Sequence, residues 1–195
     1  MSHPPLSTAG PGRASNARRQ HVLEVALRTF ARYGYKKTSM DDVARAADIS
    51  RPGLYFLFTS KQELFRVAVT QALSSDVSAA KRCLGDTEFS LRDRLLQAFD
   101  LWPGRYVGPM AREVGALIDD NPDLLGSLVA DYPRTFAEMV SAALAAGASS
   151  RQSATVEDIA QTLLSLAHGI KHEVNTREEF RARMTVGIDL VLPRR

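Results

Sequence analysis

The sequence predicts an all-α protein made of a small N-terminal domain and a larger C-terminal domain. Apolar residues recur at steps of three and four along most of its 195 residues, which is the spacing of one helix face. A Ser or Thr stands three residues before an Asp or Glu at several points, as at the start of a capped helix. No segment alternates apolar and polar residues over a strand's length with β-branched side chains, so we expect no strands.

The first helix is expected to follow a disordered tail. Residues 1–17 combine Pro, Gly, Ser and Ala with almost no large apolar side chains, so they bury too little surface to repay ordering. From Arg18 onward the apolar residues form one helical stripe, and Gly34 then ends the helix.

Capping signals place three more helix starts close together. Ser39 predicts the start of a short second helix, which the residues at 48–50 interrupt. Ser50 can cap a third helix that ends near Leu57, with a proline in its first turn where the missing N–H costs little. Ser60 stands three residues before a glutamate and opens a fourth helix.

The remainder of the chain is expected to fold as further helices of a second domain. Helix starts are predicted at Ser90, Thr155 and Thr176, each three residues before an acidic residue. Pro and Gly residues separate the helical segments. We therefore place the domains at 18–73 and 74–195.

Composition excludes several classes of protein. With 45% apolar and 24% charged residues the chain can form a globular core, and no run of about 18 apolar residues or secretory signal is visible. We therefore expect a cytoplasmic protein without membrane insertion. A single cysteine, Cys83, leaves no pair for an internal disulfide or a C-x-x-C site. No G-x-S-x-G, P-loop or dinucleotide-binding glycine pattern occurs, so we expect neither an enzyme nor a cofactor.

The positive charge is concentrated at the front of the chain. Residues 1–72 hold 11 Lys and Arg against 5 Asp and Glu, a net of +6, whereas residues 73–195 hold 14 against 17, a net of −3. A basic module joined to a slightly acidic one is a candidate for binding a polyanion.

Residues 39–58 have the form of a helix-turn-helix, in which one short helix crosses the DNA backbone and the next enters the major groove. A characteristic set of residues surrounds it: Phe30, Gly34, Tyr35, Thr38, Ser39, Val43, Ala44, Ala47, Ile49, Ser50, Gly53, Leu54, Tyr55, Phe58, Ser60, Lys61 and Leu64. By this set the N-terminal domain resembles the DNA-binding domain of the TetR family of bacterial transcriptional regulators. The resemblance implies a three-helix DNA-binding domain, followed by a helical domain for ligand binding and dimerisation.

The residues expected to face DNA are Thr38, Ser39, Arg51, Pro52, Gly53, Tyr55, Phe56, Leu57 and Lys61. Arg51 could bond a guanine edge bidentately, and contact with phosphate alone is an equal alternative. Phe56 and its apolar neighbours could only make apolar contacts, for instance to a thymine methyl group. The resemblance implies a phosphate contact for the Tyr55 hydroxyl.

Charged and hydroxyl groups beside this helix are expected to contact the DNA backbone. Lys61 stands at the positive end of the fourth helix, where an ammonium and backbone N–H groups favour a phosphate oxygen. Thr38 and Ser39 could donate hydroxyl bonds, although capping alone would explain Ser39. Asp48 occupies the turn where the family usually has glycine; it tolerates left-handed backbone, but its carboxylate opposes binding to phosphates.

The last two helices are expected to pair two copies of the chain. Their apolar faces contain Ile159, Leu163, Leu166, Ala167 and Ile170 on one helix and Phe180, Met184, Ile188 and Val191 on the other. The resemblance implies a four-helix bundle between subunits and a near-palindromic operator. The alternative is that both stripes are core within one chain.

The resemblance also implies a pocket for a small-molecule effector in the second domain. Candidate lining residues are Phe99, Trp102, Tyr106, Met110, Phe136, Met139 and His168, although such residues on helices more often form core. They favour a largely apolar effector. His168 and His172 stand four apart on a helix, but a third metal ligand is not visible, so we expect no metal.

Three functions follow from these observations. The first is a dimeric, ligand-responsive repressor that reads a specific DNA sequence. The second is an architectural protein that binds DNA regardless of sequence. The third is a ligand-binding carrier whose DNA-binding domain is weakened, which Asp48 and the apolar third helix suggest.

Overall fold

A computed structural model of the chain describes residues 11–147 and 154–192, with side chains at 15–108, 113–147 and 154–192. These ranges hold ten α-helices and a short 3₁₀ turn at Gly104–Tyr106, and they contain no strand, which confirms the all-α prediction. The helices are α1 (Pro11–Tyr33), α2 (Met40–Ala46), α3 (Arg51–Leu57), α4 (Lys61–Gly85), α5 (Leu91–Leu101), α6 (Pro109–Asp119), α7 (Pro122–Leu125), α8 (Leu128–Gly147), α9 (Val156–Glu173) and α10 (Arg177–Val191).

The chain divides into two compact units, Met1–Ala68 and Val69–Arg195. The division falls inside α4, a little before the expected limit at residue 73. Helix α1 begins at Pro11, so residues 11–17, which were expected in the disordered tail, are helical. Proline suits the first turn of a helix, and extending an existing helix adds a hydrogen bond per residue without a new nucleus. Residues 1–10 lie outside the described part of the chain.

The first unit is held together by aromatic packing beneath the helix-turn-helix. Phe30 of α1 meets Phe65 of α4 edge to face, with 5.4 Å between ring centroids. Tyr35, in the loop after α1, lies 4.9 Å from the same Phe65 ring. Phe30 and Phe65 are fully buried, so this cluster fixes α1 and the loop before α2 against α4.

The second unit has its core between α5, α8, α9 and α10. Phe99 of α5 and Phe136 of α8 meet edge to face at 5.3 Å, and both are buried. Ion pairs at the surface also connect α10 to α5: Arg177 donates to Asp100 at 2.7 and 2.9 Å, and Arg92 pairs with Asp189.

This core corrects the predicted dimer interface. Seven of the nine predicted residues are buried within one chain, namely Ile159, Leu163, Ala167, Ile170, Phe180, Met184 and Ile188. The other two, Leu166 and Val191, are partly buried against the same cluster. Gly187 lets α10 approach α9, because a Cβ there would lie 2.0 Å from Leu166 Cδ2. The broad apolar faces of α9 and α10 therefore serve the chain's own core, as the alternative held.

Candidate functional site

Helix α2 begins with a complete capping box. The Ser39 hydroxyl oxygen accepts from the Asp42 backbone N–H at 3.2 Å, and the Asp42 carboxylate accepts from the Ser39 N–H at 2.9 Å. The Ser39 hydroxyl also donates to this carboxylate at 2.6 Å. The hydrogen bond from the Ser39 hydroxyl, and after it the bond from the Ser39 N–H, hold the pKa of Asp42 below its ordinary value. Ser39 is thus engaged as a helix cap, with its hydroxyl proton directed to Asp42.

The turn between α2 and α3 closes with the backbone pattern of a Schellman motif. The Ile49 N–H donates to the Ala44 carbonyl at 3.0 Å, and the Asp48 N–H donates to the Arg45 carbonyl at 3.3 Å. Asp48 takes the left-handed conformation that this motif requires, with φ of 53°, where glycine is usual. The turn therefore forms with aspartate in it.

Helix α3 is buried on one face and exposed on the other, which forms its bare front edge. The Ser50 hydroxyl caps it by accepting from the Gly53 N–H at 3.2 Å. Leu54 and Phe58, the residue directly after the helix, are buried, with 0% and 1% of their surface exposed. Tyr55 and Phe56, between them, are 41% and 89% exposed. Pro52 is exposed as well, and Gly53 and Leu57 are half-buried.

Arg51 at the start of α3 is paired with a carboxylate on α2. Its Nε lies 3.0 Å from Asp41 Oδ1, and its Nη1 donates to Asp41 Oδ2 at 3.2 Å. The guanidinium also lies 5.7 Å from the Tyr55 ring centroid. Arg51 is thus held at the exposed edge in a definite position. Sequence reasoning missed Asp41, because ten residues and a turn separate it from its partner.

Two predicted DNA contacts have structural roles in the folded protein. Thr38 is 2% exposed and donates its hydroxyl to the Gly34 carbonyl at 2.9 Å, so it is not available to a phosphate. The Lys61 ammonium donates to the carbonyls of Tyr35 and Thr38, each at 3.1 Å, and lies 4.4 Å from the Tyr35 ring centroid. Lys61 therefore holds the loop before α2 against the start of α4.

The second unit contains a cavity of about 410 Å³. Five predicted effector residues line it, namely Phe99, Trp102, Tyr106, Phe136 and His168. Met139 does not line it and packs against the core cluster instead. The side chain of Met110 lies outside the described residues. Sequence reasoning missed the polar lining residues Asp119 and Lys171. The signal was available for Lys171, which follows His168 by three residues and so shares its helix face.

A buried carboxylate anchors one wall of this cavity. Asp76 of α4 is 2% exposed, accepts from the Tyr106 hydroxyl at 2.9 Å and pairs with Arg105. Burial raises the pKa of Asp76, although Arg105 opposes the shift. Burial, together with the neighbouring carboxylate, also raises the pKa of Tyr106. The ring of Tyr106 is therefore oriented through its hydroxyl by a residue of α4.

The described residues offer little for other kinds of site. Among them no three His, Cys, Asp or Glu side chains come together as a metal site; His168 and His172 form a pair with ring centroids 4.7 Å apart. None of the helices in the described ranges is long and apolar enough to cross a membrane.

A capped α2, a closed turn and an α3 with a bare front edge define a DNA-binding protein of the helix-turn-helix class. Residues 22–68 match the family model of bacterial regulatory proteins of the tetR family. The N-terminal domain is therefore that of a tetR-family protein, and the family is one of DNA-binding regulators.

Similar proteins agree with this match. The HTH-type transcriptional regulator AcrR of Shigella flexneri is 45% identical over 47 residues, which cover 24% of this chain and 22% of AcrR. The nicotine-responsive repressor HdnoR of Paenarthrobacter nicotinovorans is 24% identical over 160 residues, covering 78% of this chain and 80% of HdnoR. The match to AcrR therefore spans only the DNA-binding domain.

A solved structure shares the fold along most of the chain. The structure of a transcriptional regulator from Saccharomonospora viridis in complex with choline has a TM-score of 0.73 at 19% identity. The alignment covers 90% of this chain and 96% of that one.

Proposed function

We propose that the protein is a dimeric transcriptional regulator that binds a specific DNA sequence, and that it is a repressor released from a near-palindromic operator by a small-molecule effector. The bare edge of α3 carries this proposal. Arg51, Tyr55 and Phe56 stand there on a helix that the capped turn and a buried Leu54 hold in place. Since DNA is the partner, the protein acts in the cytoplasm.

The proposed subunit interface is the outer face of α10. Ala182, Val186 and Leu190 follow one another at steps of four, so they form one stripe, and all three are exposed. Val186 is 60% exposed and Leu190 is 77% exposed, which is unusual for branched apolar residues on the same helix face. A second copy that covers this stripe would produce the two-fold symmetry a palindromic site requires.

The proposed effector site is the cavity of the second unit. Its walls are mostly apolar with a few polar side chains, and a volume of about 410 Å³ falls in the range of small-molecule sites. Leu73 and the Tyr106 partner Asp76 both belong to α4. Helix α4 begins at Lys61, beside the helix-turn-helix, so a ligand that moves Tyr106 acts on a helix shared with the DNA-binding domain.

Selection of bound fragments from random duplexes tests the DNA-binding part of the proposal. Purified protein should enrich one motif with two related half-sites. Enrichment without any motif would favour the architectural protein. If no duplex is enriched while an effector binds tightly, the ligand-binding carrier would be favoured. The carboxylates of Asp41 and Asp48 near the proposed DNA face support this alternative.

Solution mass tests the pairing. Leu190→Glu places a charge in the proposed interface and should convert the dimer to a monomer, because a buried unpaired carboxylate is costly. Phe89→Glu is the matched control, since Phe89 is 50% exposed in the α4–α5 connection of the same unit. A monomeric wild type, or a dimer that survives Leu190→Glu, would contradict the α10 interface.

A further inference from the structure

The effector cavity has one wall that differs chemically from the rest. Helix α9 contributes His168, Lys171 and His172, three nitrogen-bearing side chains within five residues. Other lining residues are aromatic, with Trp102 stacked on Phe136 at 5.9 Å between centroids. The cavity therefore combines an apolar body with one side rich in N–H donors.

Lys171 lacks an anionic partner among the residues that the structure describes. Its side chain is half-buried, and its ammonium lies 5.8 Å from the centroid of the Tyr106 ring. The nearby carboxylate of Asp76 is already engaged by Arg105 and by the Tyr106 hydroxyl. An ammonium partly removed from water is stabilised by a charge-assisted hydrogen bond to an anion.

We propose that the effector is an apolar, ring-containing acid whose carboxylate binds Lys171. The two histidines of α9 add N–H donors beside the carboxylate, and the ring lies against Trp102 and Phe136. The size of the cavity suits such a molecule, because about 410 Å³ lies in the range of small-molecule sites. This inference rests on the proposed function and specifies the chemistry of its effector.

An organic cation is the competing ligand. The aromatic walls offer ring faces to a cation, and Asp119 also lines the cavity. HdnoR responds to nicotine, and the Saccharomonospora viridis regulator binds choline. In this chain, however, Asp119 is exposed, as are His168 and His172, whereas Lys171 is half-buried and would repel a cation at the aromatic wall. The geometry therefore favours the acid.

Three probes with the same ring and butyl chain separate these possibilities: 4-butylbenzoate, 4-butylbenzamide and 4-butylbenzylamine, which are anionic, neutral and cationic at pH 7. The only tryptophan of the chain, Trp102, lines the cavity, so its fluorescence reports occupancy directly. We expect the benzoate to bind about 10- to 100-fold more tightly than the benzamide, the difference expected for a charge-assisted bond.

Lys171→Gln should abolish the preference for benzoate while benzamide affinity stays unchanged, which also shows that the variant is folded. Lys81→Gln is the matched control, because Lys81 is exposed on α4 of the same unit and does not line the cavity. Equal binding of benzoate and benzamide, tighter binding of the amine, no binding of any probe, or an unchanged preference in Lys171→Gln would each overturn the inference.

Duplex binding is measured separately on the same protein. If benzoate binds with the expected preference and no duplex is selected, the inference stands and the proposed regulator fails. If a duplex motif is selected and the benzoate preference is absent, the regulator stands and the inference fails.

Discussion

Replacement of Arg51 by alanine tests whether the front of α3 reads bases. In the DNA-free protein Arg51 is paired with Asp41, with 3.0 Å between Nε and Oδ1 and side-chain exposures of 63% and 47%. A pair this exposed contributes only about 0–1 kcal/mol to stability. A bidentate contact to a guanine edge contributes about 1–3 kcal/mol of discrimination. The contact with DNA is therefore worth more than the ion pair, and Arg51 is free to exchange Asp41 for a base.

The expected loss can be stated for two duplexes measured by fluorescence anisotropy. Arg51→Ala should weaken binding to the selected operator by about 1–3 kcal/mol, or roughly 5- to 150-fold. Binding to a scrambled duplex of the same composition should change far less. Asp41→Asn removes a carboxylate that competes for Arg51 and repels phosphates, so it should strengthen binding to both duplexes.

Equal weakening on both duplexes would show that Arg51 contacts only phosphate, and the base-reading assignment would be refuted. If neither substitution altered duplex affinity, α3 would not be the DNA-facing helix. Circular dichroism of each variant controls for loss of fold, which is not expected because both side chains lie at the surface.

Three further substitutions test separate parts of the structure. Lys61→Met should lower the free energy of unfolding by about 1–2 kcal/mol in urea titration, because two loop carbonyls lose their donor. The same substitution should weaken binding to every duplex alike. Weakened binding with unchanged stability would assign Lys61 to phosphate contact alone. Asp48→Gly should raise the unfolding free energy by about 0.5–1 kcal/mol, since left-handed backbone strains aspartate. It should also strengthen duplex binding. A lower stability of the variant would contradict the strain argument. Asp76→Asn mimics the protonated carboxyl, whose pKa is raised above 3.8 in the folded protein. The folded state therefore binds this proton more tightly than the unfolded state. The stability of the wild type relative to the variant should fall as pH rises from about 4 and then level off. If this relative stability rose with pH instead, the Arg105 charge would outweigh burial in setting the pKa of Asp76.

The helix-turn-helix could be predicted because its determinants are local. The Ser39 and Ser50 caps and the turn at Asp48 each act within three or four residues of sequence, and all of them form as the sequence indicates. The partners of surface charges could not be predicted in the same way. Arg51 meets Asp41, and Lys61 meets two loop carbonyls, only after the chain has folded back on itself.

Seven of the nine predicted interface residues belong to the chain's own core for a different reason. An apolar stripe such as that of Leu163 or Phe180 shows that a helix face is covered, but not whether its own chain or another chain covers it. Here α9 and α10 cover each other and pack on α5 and α8. The exposed stripe that remains, with Val186 and Leu190, is short and lies on the opposite side of α10 from Met184 and Ile188, so periodicity alone did not single it out.

The last two helices complete the interior of their own chain, so the proposed pairing through α10 needs no part of that core. Under this proposal, subunits would exchange between assemblies without unfolding, and substitutions at Val186 and Leu190 would change the strength of pairing without lowering the stability of each protomer. Mixed pairs with a related chain would then need changes at those surface positions alone.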